Sequence, residues 1–382
     1  MTQLRFSLKW FLLGSVAAAI LIALGMRQYD RWRQGRWLAA PVLAGNKHEF
    51  NEWQYRRWLE KQKSIQDELA AGGASFSRRE NYLVNVDVMA TTDRRCLSAL
   101  ADATELEEFG ARVPLDDVDL LWLKNHPGLK RLPSITGRGV TNHTLAAVGT
   151  CPKLEFLWIE SSSITDEGLV HLAGLERLEH LVLIRNRVTG RGFDSLAHLP
   201  RLSKLHLSQC PVNNEGLAAI RKLQQLEFLD LTETRIDGSG LSHLASLPKL
   251  STLLLINSAI VHSTGFAELD SVRTLRLGGA RLQPGTLQDI AKMDSLSDLD
   301  LATSNVTDDL LSELRGAQQL RVLNLTQTGI SDAGLVHLTG LSGLREFHVG
   351  QTRVSQAGAR RLAEALPRTK IGYTDGSIVP SE

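Results

Sequence analysis

Apolar residues recur along this chain at a fixed interval. Leucine stands at positions 154, 178, 202, 226 and 250, a spacing of 24. After one interval of 22 the register resumes at Val272, Leu296, Leu320 and Leu344. The stretch from Leu226 to Lys249 serves as template. Leu229 and Leu231 alternate with Phe228 and Asp230, the two-residue rhythm of a strand with one buried face. Leu241, Leu244 and Leu247 follow Gly240 at spacings of three, the pattern of a short helix or 3₁₀ segment packed inward. A repeat of this length cannot bury its apolar face alone, so the period predicts a solenoid of stacked units. Strands about 4.8 Å apart give about eleven units an inner arc of roughly 50 Å.

The position eight residues after each opening residue is also regular. It holds Ser162, Asn186, Cys210, Thr234, Ser258, Ala280, Ser304, Thr328 and Thr352. Small polar side chains there suit a buried turn whose backbone groups need partners, so this is a structural ladder. Ala280 breaks it within Gly278-Gly279-Ala280. Upstream of Leu154 the pattern is degenerate but readable. Val140, Leu145 and Val148 match one convex half, Leu115, Leu120 and Leu123 another, and Leu97, Leu100 and Leu106 a third. The unit Leu250–Ser271 has lost residues where Phe266 and Leu269 lead to Val272, which predicts a thinner convex wall and a local change of curvature.

These units resemble leucine-rich repeats of the L-x-x-L-x-L-x-x-T-x-I-T-D-x-G-L type. Ile164-Thr165-Asp166-Glu167-Gly168-Leu169 and Ile330-Ser331-Asp332-Ala333-Gly334-Leu335 carry the likeness best. That type is similar to the cysteine-containing repeats of eukaryotic F-box proteins and is abundant in bacteria, notably planctomycetes. The resemblance implies an α/β solenoid: a leucine-rich-repeat horseshoe with a parallel concave sheet and short convex helices, preceded by a transmembrane helix. It is specific for fold and says little about function. No F-box-like pattern precedes the repeats, so a ubiquitin-ligase role is not carried over.

Residues 10–26 read WFLLGSVAAAILIALGM without a charge, flanked by Arg5 and Lys9 before and Arg27, Arg31, Arg33 and Arg36 after. An uncleaved membrane anchor is the leading reading. A cleaved signal peptide and a buried soluble helix are the alternatives. Leu4-Arg5-Phe6-Ser7-Leu8-Lys9-Trp10 before the apolar run, and Leu69–Ala74 before a strand-like segment, look like the anchor and repeat entrance of planctomycete membrane proteins. Basic residues near the span lean towards a cytoplasmic repeat domain, although a large domain can be translocated regardless. The expected organisation is a tail at 1–9, an anchor at 10–26, and a juxtamembrane helical segment and N-terminal cap at 27–81. Then follow the solenoid at 82–373, degenerate over 82–153 and regular over 154–366, and a flexible tail at 374–382. In the juxtamembrane part, Pro41 and Gly45 divide two helical stretches. Phe50, Trp53, Trp58 and Leu59 lie there among basic residues. That pattern fits a cap on the solenoid or contact with lipid headgroups.

Candidate chemistry is sparse. No phosphate-cradling loop, paired Cys-x-x-Cys, zinc-protease motif or nucleophile elbow occurs. His171, His243 and His337 share one repeat position, which explains them without a metal, and His180 and His206 sit in adjacent units at offset positions. Asn142-His143-Thr144 and Asn305-Val306-Thr307 fit a glycosylation sequon. Cys96, Cys151 and Cys210 are too few and too spread for a disulfide framework. A net charge of +1 supplies no field for a nucleic acid. The reading is therefore non-enzymatic, with no cofactor, no metal and no nucleic acid. The expected partners are a protein or peptide, and the membrane through the N-terminal helix.

The strand positions left free by the repeat are more informative. Phe156, Trp158, His180, Val182, Ile184, Lys204, His206, Phe228, Asp230, Leu254 and Ile256 point outward on the concave side. Polar residues would serve the fold equally well there, so lined-up aromatics and aliphatics form a candidate partner-binding surface. The bland alternative is surface covered by the protein's own chain or simply tolerated. Further along, Arg276, Asp298, Asp300, Asn324, Glu346 and His348 turn the same face polar. The leading function is a membrane-anchored protein that binds a partner through the concave face. The alternatives are a structural protein organising the envelope, or a secreted or periplasmic ligand-binding repeat protein.

Overall fold

The computed structural model describes residues 47–79, 82–89, 92–124, 126–260, 265–373 and 376–378. The expected anchor at 10–26 lies outside them. Among the described residues no helix is long and apolar enough to cross a membrane. The chain divides into two units, Met1–Phe109 and Gly110–Glu382.

In the first unit a helix spans Lys47–Ala71. It buries Gln62, Ile65, Gln66 and Leu69, a stripe of spacing three and four. The helix packs on the 3₁₀ segment Arg94–Asp102, whose start is capped by Asp93 accepting from the Arg95 amide at 3.1 Å. Past the helix the chain enters strands, as the strand-like segment after Ala74 suggested. Strands Ser75–Arg79 and Tyr82–Val88 form an antiparallel hairpin, unlike the parallel pairing of a repeat. Leu97, Leu100 and Leu106 are buried.

The second unit is the solenoid. Its strands include Phe156–Glu160, His180–Ile184, Lys204–His206, Phe228–Asp230 and Thr252–Leu254. Each pairs in parallel with its predecessor at the same repeat position, so Leu157, Leu181, Leu205, Leu229 and Leu253 stack in one buried row. The ladder continues through Thr274–Arg276, Asp298–Asp300, Val322–Asn324 and Glu346–His348 to Lys370–Tyr373. Every opening residue from Leu154 to Leu344 is at most 1% exposed. Each such leucine removed from water contributes about 2 kcal/mol, and only the neighbouring units provide that burial. The upstream matches Val140, Leu145, Val148, Leu120 and Leu123 are equally buried.

Two longitudinal ladders run along the stacked units, the first mostly bonded within each unit and the second bonded between units. On the first, hydroxyls of Thr234, Ser304, Thr328 and Thr352 donate to the carbonyl three residues back, at 2.6–2.8 Å. Asn186 instead donates to Ile159 and Ile184 and accepts from Ser162, while Cys210 Sγ bonds the Leu183 carbonyl at 2.9 Å. The residue just before each ladder position is left-handed: Ser161, Arg185, Gln209, Glu233, Asn257, Thr303, Gln327 and Gln351 all have φ of 54–59°. Gly279, with φ of 67°, holds that place in the unit where Ala280 interrupts the ladder, so the double glycine supplies the turn's conformation.

The second ladder explains the D-x-G-L motif. Asp166 accepts from the Thr189 amide at 3.0 Å, the Thr189 hydroxyl at 2.6 Å, and the amides of Gly190 and Gly192 at 3.1 and 3.0 Å. Asp308 takes the Ser331 amide and hydroxyl at 2.8 and 2.6 Å, and Asp332 does the same for Ser355 at 2.7 and 2.6 Å. Asp166 thus reaches an amide in the first turn of the next unit's helix, while Asp308 and Asp332 hold the serines, Ser331 and Ser355, whose hydroxyls cap theirs. The motif glycine makes room for it: a Cβ on Gly334 would stand 3.1 Å from Asp308 Cγ and nearer still to Oδ1.

At the short unit the convex wall is thinner, as its length predicts. It is the three-residue segment Phe266–Glu268, against seven residues at Asp166–Leu172. A second parallel ladder, Ala259–Ile260 with Arg281–Leu282, stands beside it. The tail expected from 374 is not free throughout. Gly376–Ile378 returns antiparallel to Lys370–Tyr373, giving that strand's backbone groups a partner where the repeats stop.

Candidate functional site on the open sheet face

Strand alternation and in-register stacking sort the outward side chains into rows. The first row runs Arg131, Phe156, His180, Lys204, Phe228. The second runs Trp158, Val182, His206, Asp230, Leu254, and Ile184 lies on a third with Glu160. Ile256 follows Leu254 by two residues and points the same way. The expected surface residues therefore share one face of contiguous strands.

The aromatics touch one another. The Arg131 guanidinium lies 4.7 Å from the Phe156 ring centre. Phe156 and His180 meet edge to face at 5.7 Å, and His206 lies against Phe228 at 4.6 Å. Phe156, Trp158, His180, Ile184, His206, Phe228, Leu254 and Ile256 are half-buried. Two of the expected surface residues need correction. Val182 is only 4% exposed and Asp230 only 8%. Val182 is a short side chain between Trp158 and His206 in its row, which shade it. Asp230 is enclosed by its own hydrogen bonds.

Those bonds define the polar centre of the face. Asp230 accepts from Ser208 Oγ at 2.6 Å and from the Thr232 amide at 2.9 Å, with His206 Nδ1 at 3.5 Å. Burial alone would raise its carboxyl, but hydrogen bonds from His206, Ser208 and Thr232 hold it at about 2. Serine, histidine and aspartate meet here, yet the serine hydroxyl bonds the carboxylate and not the imidazole. The histidine is therefore not placed as that serine's base. Burial and then the Lys204 charge push the His180 imidazole below its ordinary value, against the opposite pull of Glu179.

Two strands beyond Asp230 the polar half begins, and it is internally paired. Arg276 clamps Asp298 through both carboxylate oxygens at 3.1 and 2.9 Å and lies 3.6 Å from Asp300. Burial raises the Asp298 carboxyl despite that guanidinium.

The left-handed row adds side chains that the period does not flag as a site. Arg185 bonds Gln209 at 2.6 Å, Gln209 bonds Glu233 at 2.8 Å, and Asn257 reaches Glu233 at 3.3 Å. Arg185 also faces Glu160 at 3.5 Å. This exposed polar rail borders the rows. Its sequence signal is a polar residue seven places after each opening leucine. Arg131 also joins the face unannounced, because its strand shifts register between Leu132 and Ile135 and hides the repeat phase.

The other sequence candidates are accounted for within the repeat. His337 accepts from Arg315, and Asn142 is bonded to Thr165 of the following unit. Asn305 is likewise held by both backbone groups of Leu282. Cys96, Cys151 and Cys210 are buried free thiols, and burial raises Cys151 and Cys210 to about 11 each. Among the described residues no group of acidic, histidine and cysteine side chains could hold a metal ion.

With the fold and the face in view, the class is a leucine-rich-repeat solenoid. The Leucine Rich repeat family model matches residues 198–220 and 317–338 of this chain. No curated protein matches the sequence. An internalin from Listeria monocytogenes is a similar solved structure, at 17% identity over 74% of this chain and 90% of its own, with a TM-score of 0.49. A leucine-rich-repeat protein of Leptospira interrogans is similar at 17% identity over 72% of this chain and 79% of its own, TM-score 0.43. A structure described as a TLR13–ssRNA13 complex is similar at 19% identity over 72% of this chain and 44% of its own, TM-score 0.48.

Proposed function

We propose that this is a membrane-anchored, non-enzymatic recognition protein that binds a protein or peptide through the open sheet face of its regular N-terminal units. The observation that supports it is the row of half-buried rings Phe156, Trp158, His180, His206 and Phe228 on adjoining strands, edged by the exposed Arg131. Aromatic side chains backed by a stiff sheet give up little conformational freedom on binding, which is why such residues carry disproportionate interface energy. The repeat fold requires none of them at these positions. The reading extends to a bacterial protein of the planctomycete type, with residues 10–26 as the anchor and the repeats on the cytoplasmic side.

The test is a double substitution, Trp158→Ser with Phe228→Ser, in the full chain. Partner capture from native membranes falls at least tenfold while the circular dichroism spectrum is unchanged. Undiminished capture by a folded double variant refutes the site. A reporter fused at the C-terminus, active only in the cytoplasm, tests the orientation.

A further inference from the structure

The charges on the same face are unequal in how far they are satisfied. Two acidic side chains belong to its outward rows in the regular N-terminal units, and both are engaged. Glu160 faces Arg185 at 3.5 Å, and Asp230 is enclosed by Ser208, Thr232 and His206. Lys204 is different. It is half-buried in the first row between His180 and Phe228, and among the described residues its ammonium has no hydrogen bond or ion pair. Beyond the short unit, the acids Asp298 and Asp300 already face Arg276. The outstanding charge over the aromatic cluster is therefore positive.

Its surroundings sharpen this. Arg131 lies three strands away on the same row, about 14 Å at ordinary strand spacing. His180 stands between, its imidazole depressed first by burial and then by the Lys204 charge, against the pull of Glu179. Glu155, Glu179 and Glu227 occupy the residue just before the row on three strands, with Glu179 drawn 3.8 Å from Arg201. These carboxylates border one side of the row, so an incoming anion is turned away from that margin and towards the aromatic rows. Trp158, Ile184, Leu254 and Ile256 supply the apolar remainder.

On the strength of the binding site proposed above, we propose that its occupant is an acidic, hydrophobic segment of another protein, with an Asp or Glu carboxylate paired to Lys204 and flanking aliphatic or aromatic side chains against Trp158, Phe156 and Phe228. An ammonium already partly removed from water gains more from such a pair than an exposed one, and the acids within the outward rows, Glu160 and Asp230, are already engaged. The row from Lys204 to Arg131 matches about four residues of extended chain.

The experiment is selection of random dodecapeptides on the immobilised full chain, run in parallel on Lys204→Glu, on Lys204→Met and on the Trp158→Ser/Phe228→Ser variant. The wild type enriches peptides with Asp or Glu among apolar residues. Lys204→Glu weakens a selected acidic peptide at least tenfold in Kd and, reselected, enriches Lys or Arg; Lys204→Met loses the charge preference but keeps the apolar one. Peptides that need Trp158 and Phe228 yet show the same acid usage on wild type and Lys204→Glu overturn the acidic occupant and leave the site standing. Peptides indifferent to Trp158 and Phe228, or no enrichment at all, overturn the site itself.

Discussion

Replacing Gly334 by alanine tests the inter-unit cap directly. In most helices the change is favourable by about 1 kcal/mol, because alanine loses less backbone freedom. Here the new Cβ would stand 3.1 Å from Asp308 Cγ, 3.3 Å from its Cα and closer still to Oδ1. The aspartate cannot retreat without releasing the Ser331 amide and hydroxyl, bonded at 2.8 and 2.6 Å. Overpacking of this kind costs about 2–3 kcal/mol, so Gly334→Ala should destabilise by about 1–2 kcal/mol after the propensity gain. Asp308→Ala alone should cost about 2 kcal/mol, because the Ser331 amide and hydroxyl lose their partner and the capping serine its anchor. The two are not independent. With Asp308 truncated the obstructing carboxylate is gone, so adding Gly334→Ala becomes close to neutral and the double variant sits near Asp308→Ala alone. The coupling is about 1–2 kcal/mol. Urea unfolding of the full chain in detergent micelles measures it, and hydrogen exchange of amides 300–360 locates it, since a solenoid confines such a loss to adjoining units. Additive penalties, or a stabilising Gly334→Ala in the wild-type background, refute the close-approach explanation of the D-x-G-L glycine.

Other outcomes follow from the same contacts. Asp230 titrates in the folded protein at about 2, below its ordinary 3.8. A depressed carboxyl contributes stability above its unfolded value and loses it as pH falls, so roughly 2 kcal/mol should vanish between about pH 4 and pH 2. Asp230→Asn should flatten that part of the acid unfolding profile, and a parallel profile refutes the assignment. Cys151 and Cys210, buried and raised to about 11, should resist alkylation at pH 8 until urea unfolds the repeats. Rapid labelling of either in the folded chain would show that the packing described for them is wrong. Val170 and Val336, exposed on the convex side, should tolerate serine with less than about 0.5 kcal/mol change in urea unfolding.

The solenoid was readable because its constraint is repeated. The opening leucines, the strand alternation and the small polar ladder each recur at one period, and one physical requirement, burial between neighbours, explains all three. The left-handed turn was harder to see. It is occupied by Ser161, Arg185, Gln209, Glu233 and others in place of the glycine such a φ favours, so no residue type marks it. The D-x-G-L motif was visible as a pattern, but its reason lies across units, where Asp166 reaches Thr189 and the glycine makes room. On the candidate face, strand phase correctly placed the outward residues but not their accessibility. Val182 is shaded by larger neighbours on adjacent strands, and Asp230 is sealed by Ser208, Thr232 and His206. Neither effect is encoded in one strand's sequence. Arg131 escaped because a register shift displaces it from the period.

Site-specific photo-cross-linking in living cells tests recognition through the open sheet face most directly. A photoreactive residue placed at Ile184, on that face, should capture a discrete partner band, and the same probe at Val170, on the convex side, should capture none. Capture at Val170 with none at Ile184 would contradict a site on the sheet and move the interaction to the convex surface.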